Sequence, residues 1–254
     1  MKGFDDKMLS IIFFPYKFIE NNMDNNKTHL IFKNNKTKKV FVVCQQWMGK
    51  DIFYKHLIKK LSKYYTIVLY RLPNKVLYDD PVATVDRFEN AKKELLGIVA
   101  KLEEEGFDDF SILGNSLSCG LALMVANSCN KFKRVILNLT GDDIAECFWE
   151  SSNLVVRRIK NVYIKNGIKL DYLKKCWSEI SPVNNIKNLK KQELLIFLSR
   201  NDDFVNFKSG EKFVHELKKR KIRYKLIIDN IFGHYISGVK NLVFNDSIIK
   251  FLNR

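Results

Sequence analysis

The feature that most restricts what this chain can fold into is a rhythm. Short runs of apolar, β-branched and aromatic residues recur at 40–44, 66–70, 110–113, 135–139, 194–198 and 224–228. Each has the length of a strand, and those at 40–44 and 66–70 are continuous rather than alternating, which marks a strand covered on both faces. A shorter run at 29–32 precedes the turn pair Asn34-Asn35. Between the runs, apolar residues fall at helical spacing. Ile52, Phe53, Leu57 and Leu61 share one face, and so do Val85, Phe88, Leu95, Val99 and Leu102, with Gly106 as the stop. Further helices are expected at 117–125, 210–219 and 242–252. Strands alternating with helices imply an α/β fold, a mostly parallel central sheet flanked by helices.

One stretch breaks the rhythm. Residues 142–190 hold no clear strand; 145–149, 154–164 and 170–177 read as helices, and Ser181-Pro182 ends the series. The expectation is a single domain over 1–254 with 142–190 as a helical lid insertion.

Composition narrows the function classes. With 46% hydrophobic residues the chain can bury a large core. It carries 44 basic and 28 acidic residues, a net charge of +16, but the lysines are spread along its whole length. No RNA-binding aromatic motif, zinc finger or arginine-rich arm accompanies them, so a generally basic surface is expected rather than a nucleic-acid site. The five cysteines are odd in number and irregular in spacing, with no C-x-x-C. That argues against a disulfide framework and a metal site, and for a cytoplasmic setting. The apolar run at 8–14 is shorter than the roughly 20 residues a transmembrane helix needs. Acidic Asp5 and Asp6 precede it, so it reads as an edge strand or packing segment and not as a signal peptide.

The sharpest local feature is Gly114-Asn115-Ser116-Leu117-Ser118, set between the run at 110–113 and an apolar helix. A serine on so tight a strand-to-helix turn is pushed out above the sheet. Small residues around it let strand and helix approach, and the helix start supplies unpaired N–H groups. A serine hydroxyl needs a base to be a nucleophile. Of the four histidines, His29 falls in a strand and His56 and His215 fall in helices. His234, in Phe232-Gly233-His234-Tyr235, follows a strand by a few residues.

These segments resemble the α/β-hydrolase family. Gly114 to Ser118 looks like its G-x-S-x-G nucleophile elbow, with Ser118 in place of the last glycine. The family carries its histidine where His234 stands. Asn201-Asp202-Asp203-Phe204-Val205 resembles its acid-bearing loop, with Asp202 in the acid position; Asp203, Asp142 and Asp143 are the alternatives. The order Ser116, Asp202, His234 is the family's order.

The resemblance also implies an oxyanion hole formed by the backbone N–H groups of Leu117 and Trp47. There Gln45-Gln46 stands where the family often has His-Gly. Gln46, Phe148, Trp149 and Trp177 are candidates for the substrate pocket. The implied activity is a serine hydrolase, an esterase or thioesterase working through an acyl-enzyme on Ser116 without metal or cofactor. Its substrate would be a small acyl ester or thioester, with carrier-bound or anionic acyl groups suiting the basic surface. An acyltransferase using the same three residues is one alternative. A non-catalytic binding protein on the same fold is the other, left open by Gln45-Gln46 and Ser118.

Overall fold

The computed structural model describes residues 28–47, 50–73, 76–77 and 80–254. The apolar run at 8–14 lies outside them. The described residues form a seven-stranded sheet of order β1-β3-β2-β4-β5-β6-β7. Its strands are β1 (His29–Phe32), β2 (Lys39–Cys44), β3 (Thr66–Tyr70), β4 (Asp109–Asn115), β5 (Phe132–Asn138), β6 (Glu193–Ser199) and β7 (Arg223–Asp229). Edge strand β1 pairs antiparallel with β3; every other pairing is parallel.

The helices are α1 (Ile52–Leu61), α2 (Pro81–Glu104), α3 (Ser118–Ser128), α4 (Ile144–Glu150), α5 (Leu154–Lys165), α6 (Leu170–Cys176), α7 (Phe207–Lys219), α8 (His234–Val243) and α9 (Asp246–Leu252). Helices cover both sheet faces, which is why the central strands β2, β3 and β6 read as unbroken apolar runs. Val40, Val42, Ile112, Val135 and Ile196 face the layer containing α2, α3 and α7. Their neighbours Phe41, Val43, Leu113, Ile136 and Leu195 face Tyr54 and Leu57 of α1, Leu242 of α8 and Phe251 of α9. Helix α3 lies between sheet and outer helices and is buried from Ser118 to Ala126, so it is apolar on all sides.

Several boundaries differ from those expected. Helix α2 starts four residues before Val85, because Asp80 accepts a hydrogen bond from the Val82 N–H at 2.9 Å and Pro81 occupies the first helical position. It stops at Gly106, whose φ of 88° lets the Phe107 N–H turn back to the Leu102 carbonyl at 3.0 Å. The closing helix expected at 242–252 is two helices, α8 and α9, divided at Phe244-Asn245; α8 begins at His234 itself. Residues 142–190 are helical, adding two short 3-10 turns, Ser178–Ile180 and Pro182–Asn185, to α4, α5 and α6. Among the described residues no helix is long and apolar enough to cross a membrane.

Candidate active site

In a parallel sheet the loops at the carboxyl ends of the strands share one edge. Four such loops build the site: those after β2, β4, β6 and β7.

The loop after β4 is the tightest. Ser116 has φ 56°, a left-handed conformation that costs a non-glycine residue about 1–2 kcal/mol. Its backbone is held from both sides. The Ser116 N–H donates to the Asn138 carbonyl at 2.8 Å, and its carbonyl accepts from the Cys119 N–H at 2.9 Å. Gly114 makes the turn possible: a Cβ there would lie 2.6 Å from both the Cys119 Cα and the Ser118 carbonyl oxygen. Ser118, at the position where the elbow pattern has glycine, is buried, and its hydroxyl donates to the Gln45 carbonyl. The departure from the pattern thus ties the loop after β2 to the elbow.

The side chain presented by this turn meets its expected partners. Ser116 Oγ lies 2.8 Å from His234 Nε2. On the other side of the ring, His234 Nδ1 lies 2.7 Å from Asp202 Oδ2 and 2.9 Å from Oδ1. The His234 and Asp202 side chains are 3% and 1% exposed, so this ion-pair geometry is shielded from solvent. The Phe204 ring lies over the imidazole, centroids 4.7 Å apart. Asp202 is itself aimed by the N–H groups of Phe204, at 2.9 Å, and Val205, at 2.7 Å.

The other carboxylates left open by sequence are engaged elsewhere. Asp203 accepts from Asn153 Nδ2 at 3.2 Å. Asp142 accepts from the Ser209 hydroxyl at 2.6 Å, and Asp143 caps α4 by accepting the Glu146 N–H at 3.0 Å. The remaining histidines point away from the site's chemistry. His29 reaches Glu94 at 3.2 Å on the sheet edge, and His56 and His215 sit within α1 and α7.

The segment leading into His234 is pinned by Asp229, a residue the sequence did not single out. Its carboxylate accepts from the N–H of Ile231 at 2.9 Å, the N–H of Phe232 at 3.2 Å and the Ser237 hydroxyl at 2.7 Å, and pairs with Lys240. Burial opposes its ionisation, but Lys240, Ser237 and the two amides outweigh burial and hold it down to about 2. A carboxyl group depressed on folding contributes stability that is present above its unfolded value and lost as pH falls through its folded one. Asp229→Asn is therefore expected to lower stability near neutral pH. The gap from wild type should close as pH falls from about 4 to about 2, as read by urea denaturation at each pH.

A cavity of about 290 Å³ opens beside Ser116. Gln46, Trp47 and Leu117 line it together with Ser116 and His234, and Ile144, Phe148, Val155 and Val156 from the 142–190 block form much of its apolar wall. Two pocket candidates are corrected. Trp177 is 0% exposed; its indole N–H donates to the Pro81 carbonyl at 2.9 Å, and its ring packs against Phe148 and Tyr163 beneath the wall. Trp149 packs against the same core and does not line the cavity. Helical spacing put both on apolar faces, but those faces turn inward. The wall also includes Cys147, Pro182 and Tyr235, which carried no distinguishing sequence signal.

The loop after β2 is held by polar side chains. Gln45 Nε2 donates to Asp51 Oδ1 at 2.5 Å, and Arg71 pairs with the same carboxylate. The Gln46 N–H donates to the Tyr54 hydroxyl at 2.8 Å, so that amide is already occupied. Leu117 is the N-cap of α3, so its N–H precedes the helix and has no intrahelical acceptor.

This sheet order, with its helices on both faces and its serine turn after β4, defines an α/β-hydrolase, the fold of serine hydrolases. More particularly, the chain belongs to the prolyl oligopeptidase family, whose sequence model matches residues 108–254, more than half of its length. Among solved structures it is similar to the acylaminoacyl peptidase of Pyrococcus horikoshii (TM-score 0.63, 17% identity, covering 85% of this chain and 37% of that one). It is also similar to an acetyl xylan esterase from Paenibacillus sp. R4 (TM-score 0.64, 13% identity, 84% and 73%). A third is Est1E from Butyrivibrio proteoclasticus (TM-score 0.58, 13% identity, 85% and 86%). The chain thus spans little more than a third of the acylaminoacyl peptidase. A search of curated proteins finds no significant relative.

Proposed function

We propose that this protein hydrolyses carboxylic esters, oxygen or thio, of small acyl groups through an acyl-enzyme on Ser116. The observation that carries the reading is the unbroken chain Asp202–His234–Ser116, ending on a strained turn at the mouth of an apolar cavity. In this reading His234 takes the Ser116 proton as Oγ adds to the acyl carbonyl. Asp202 holds the tautomer with Nδ1–H and stabilises the imidazolium, and His234 then protonates the leaving group. Water, activated by the same histidine, releases the acyl group. The backbone N–H groups of Leu117 and Trp47 are the proposed oxyanion donors.

The 142–190 block serves as the cap that shapes the acyl pocket. Phe148 and Val156 supply part of its apolar wall, and Gln46 lines it together with Ser116. Cleavage of an acylated peptide is the second reading. It is favoured by the family match and by the likeness to an acylaminoacyl peptidase. A panel of nitrophenyl esters of graded acyl length, run beside acyl-aminoacyl nitroanilides and acyl thioesters, separates the readings. A cavity of about 290 Å³ leads us to expect the highest kcat/KM on short to medium acyl groups, falling for long chains. Faster cleavage of the nitroanilides than of any ester would replace the esterase reading with the peptidase one.

A further inference from the structure

Beneath the reactive serine runs a chain of buried carboxamides, and its hydrogen bonds fix which end of each amide faces which neighbour. The Gly238 carbonyl oxygen of α8 can only accept, so the atom of Asn138 lying 3.1 Å from it is Nδ2. That same Nδ2 lies 2.9 Å from Asn115, whose facing atom must accept and is therefore Oδ1. The opposite end of Asn115, its Nδ2, then donates to the Tyr54 hydroxyl at 2.9 Å and towards Gln46 at 3.4 Å. The Gln46 atom that receives it is Oε1. Asn138 Oδ1 is satisfied independently by Asn241 Nδ2 at 2.9 Å. Every polarity in the chain thus follows from one backbone carbonyl.

The consequence falls at the far end. Gln46 Nε2 is left as the donor end of an oriented amide, with no hydrogen bond to any described residue, on a half-buried side chain lining the same cavity as Ser116. A donor held this way round at a reacting centre takes an acceptor from the substrate, and gains most when that acceptor becomes an anion. We propose that the Gln46 side chain is a third hydrogen-bond donor to the acyl carbonyl oxygen, beside the two backbone amides, and that Asn115 and Asn138 are positioning residues that keep its donor end towards the cavity. The inference rests on Ser116 being the nucleophile. When Ser116 Oγ bonds to the carbonyl carbon, its proton passes to His234 Nε2 and the C=O π pair moves onto oxygen. Gln46 Nε2–H hydrogen-bonds to that oxygen until the pair returns and the leaving group departs with the proton from His234. The side chain thus supplies at this loop what its departure from the His-Gly pattern would otherwise cost.

The test uses Gln46→Met, which keeps the length and removes the amide, and Gln46→Glu, which keeps the acceptor for Asn115 and removes the donor. For each, kcat and KM are measured on the best nitrophenyl ester, and Ki on a trifluoromethyl ketone with the same acyl group. The ketone adds to the serine as an oxyanion mimic. The expected result is a fall in kcat of roughly 10- to 100-fold at nearly constant KM, with Ki rising by the same factor. Asn115→Ala should lower kcat in the Gln46 parent but add little in the Gln46→Met background, the non-additivity expected of a residue acting through another. Fluorophosphonate labelling of wild type and Ser116→Ala runs alongside. Absence of serine-dependent labelling would remove the nucleophile and this inference with it. If wild type labels and turns over while both Gln46 variants keep kcat within about two-fold, or raise only KM, the donor role alone is overturned. Additive effects of Asn115→Ala and Gln46→Met would overturn the positioning role.

Discussion

Ser116→Ala is expected to lower ester hydrolysis by about three orders of magnitude or more, with the urea midpoint close to that of wild type. The stability half of the expectation follows from the turn itself. What holds Ser116 at φ 56° is its own N–H and carbonyl, bonded to Asn138 and Cys119, and these are untouched by the substitution. Alanine keeps the Cβ, so no new clash or conformation arises. The activity half follows from the one polar contact that is lost. Without Oγ, His234 Nε2 has nothing 2.8 Å away to deprotonate, and no acyl-enzyme can form. Purified Ser116→Ala retaining more than about a tenth of wild-type kcat/KM would remove Ser116 from the chemistry.

Asp202→Asn should be nearly as damaging, costing about two to four orders of magnitude in kcat, and for a different reason. Asparagine can still accept the Phe204 and Val205 N–H groups through Oδ1, so the loop is expected to keep its shape. Its Nδ2 then faces His234 Nδ1 as a donor where a carboxylate had accepted. The ring is driven to the tautomer with its proton on Nε2, which cannot take one from Ser116, and the imidazolium loses its counter-charge. Asp203→Asn and Asp142→Asn should cost far less. Asp203 holds the segment before α5 partly through its main-chain carbonyl, which accepts from Ser152 and Asn153. Asp142 serves Ser209. A greater loss from Asp142→Asn than from Asp202→Asn would move the acid to the loop after β5.

Residue by residue, the sequence was most legible where chemistry and chain geometry coincide. Gly114 and Ser116 stand out because a strand-to-helix turn that tight tolerates few residues, and His234 because only one of four histidines follows a strand. The runs located all seven described strands, β3 residue for residue because its burial leaves little choice of side chain, though β5 begins three residues before the run at 135–139. Boundaries were less legible where a single polar contact decides them, as at Asp80-Pro81, or where one helical pattern conceals a break, as at Phe244-Asn245. The supporting polar groups were not legible at all. Tyr54, Asn138 and Asp229 come from distant elements, and nothing in their local sequence says that they meet beneath the serine or behind the histidine loop. Trp149 and Trp177 mark the same limit from the other side: periodicity identifies an apolar face but not whether it lines a cavity or a core.

The central claim is that Ser116, activated by His234, is the reacting atom of this protein. The most direct measurement is mass-spectrometric mapping of the wild-type protein after reaction with a fluorophosphonate, with His234→Ala treated in parallel. The account predicts a single adduct, on the peptide that contains Ser116, forming in step with loss of ester hydrolysis and strongly slowed in His234→Ala. An adduct on another residue that abolishes activity, or full inactivation with Ser116 unmodified, would contradict it.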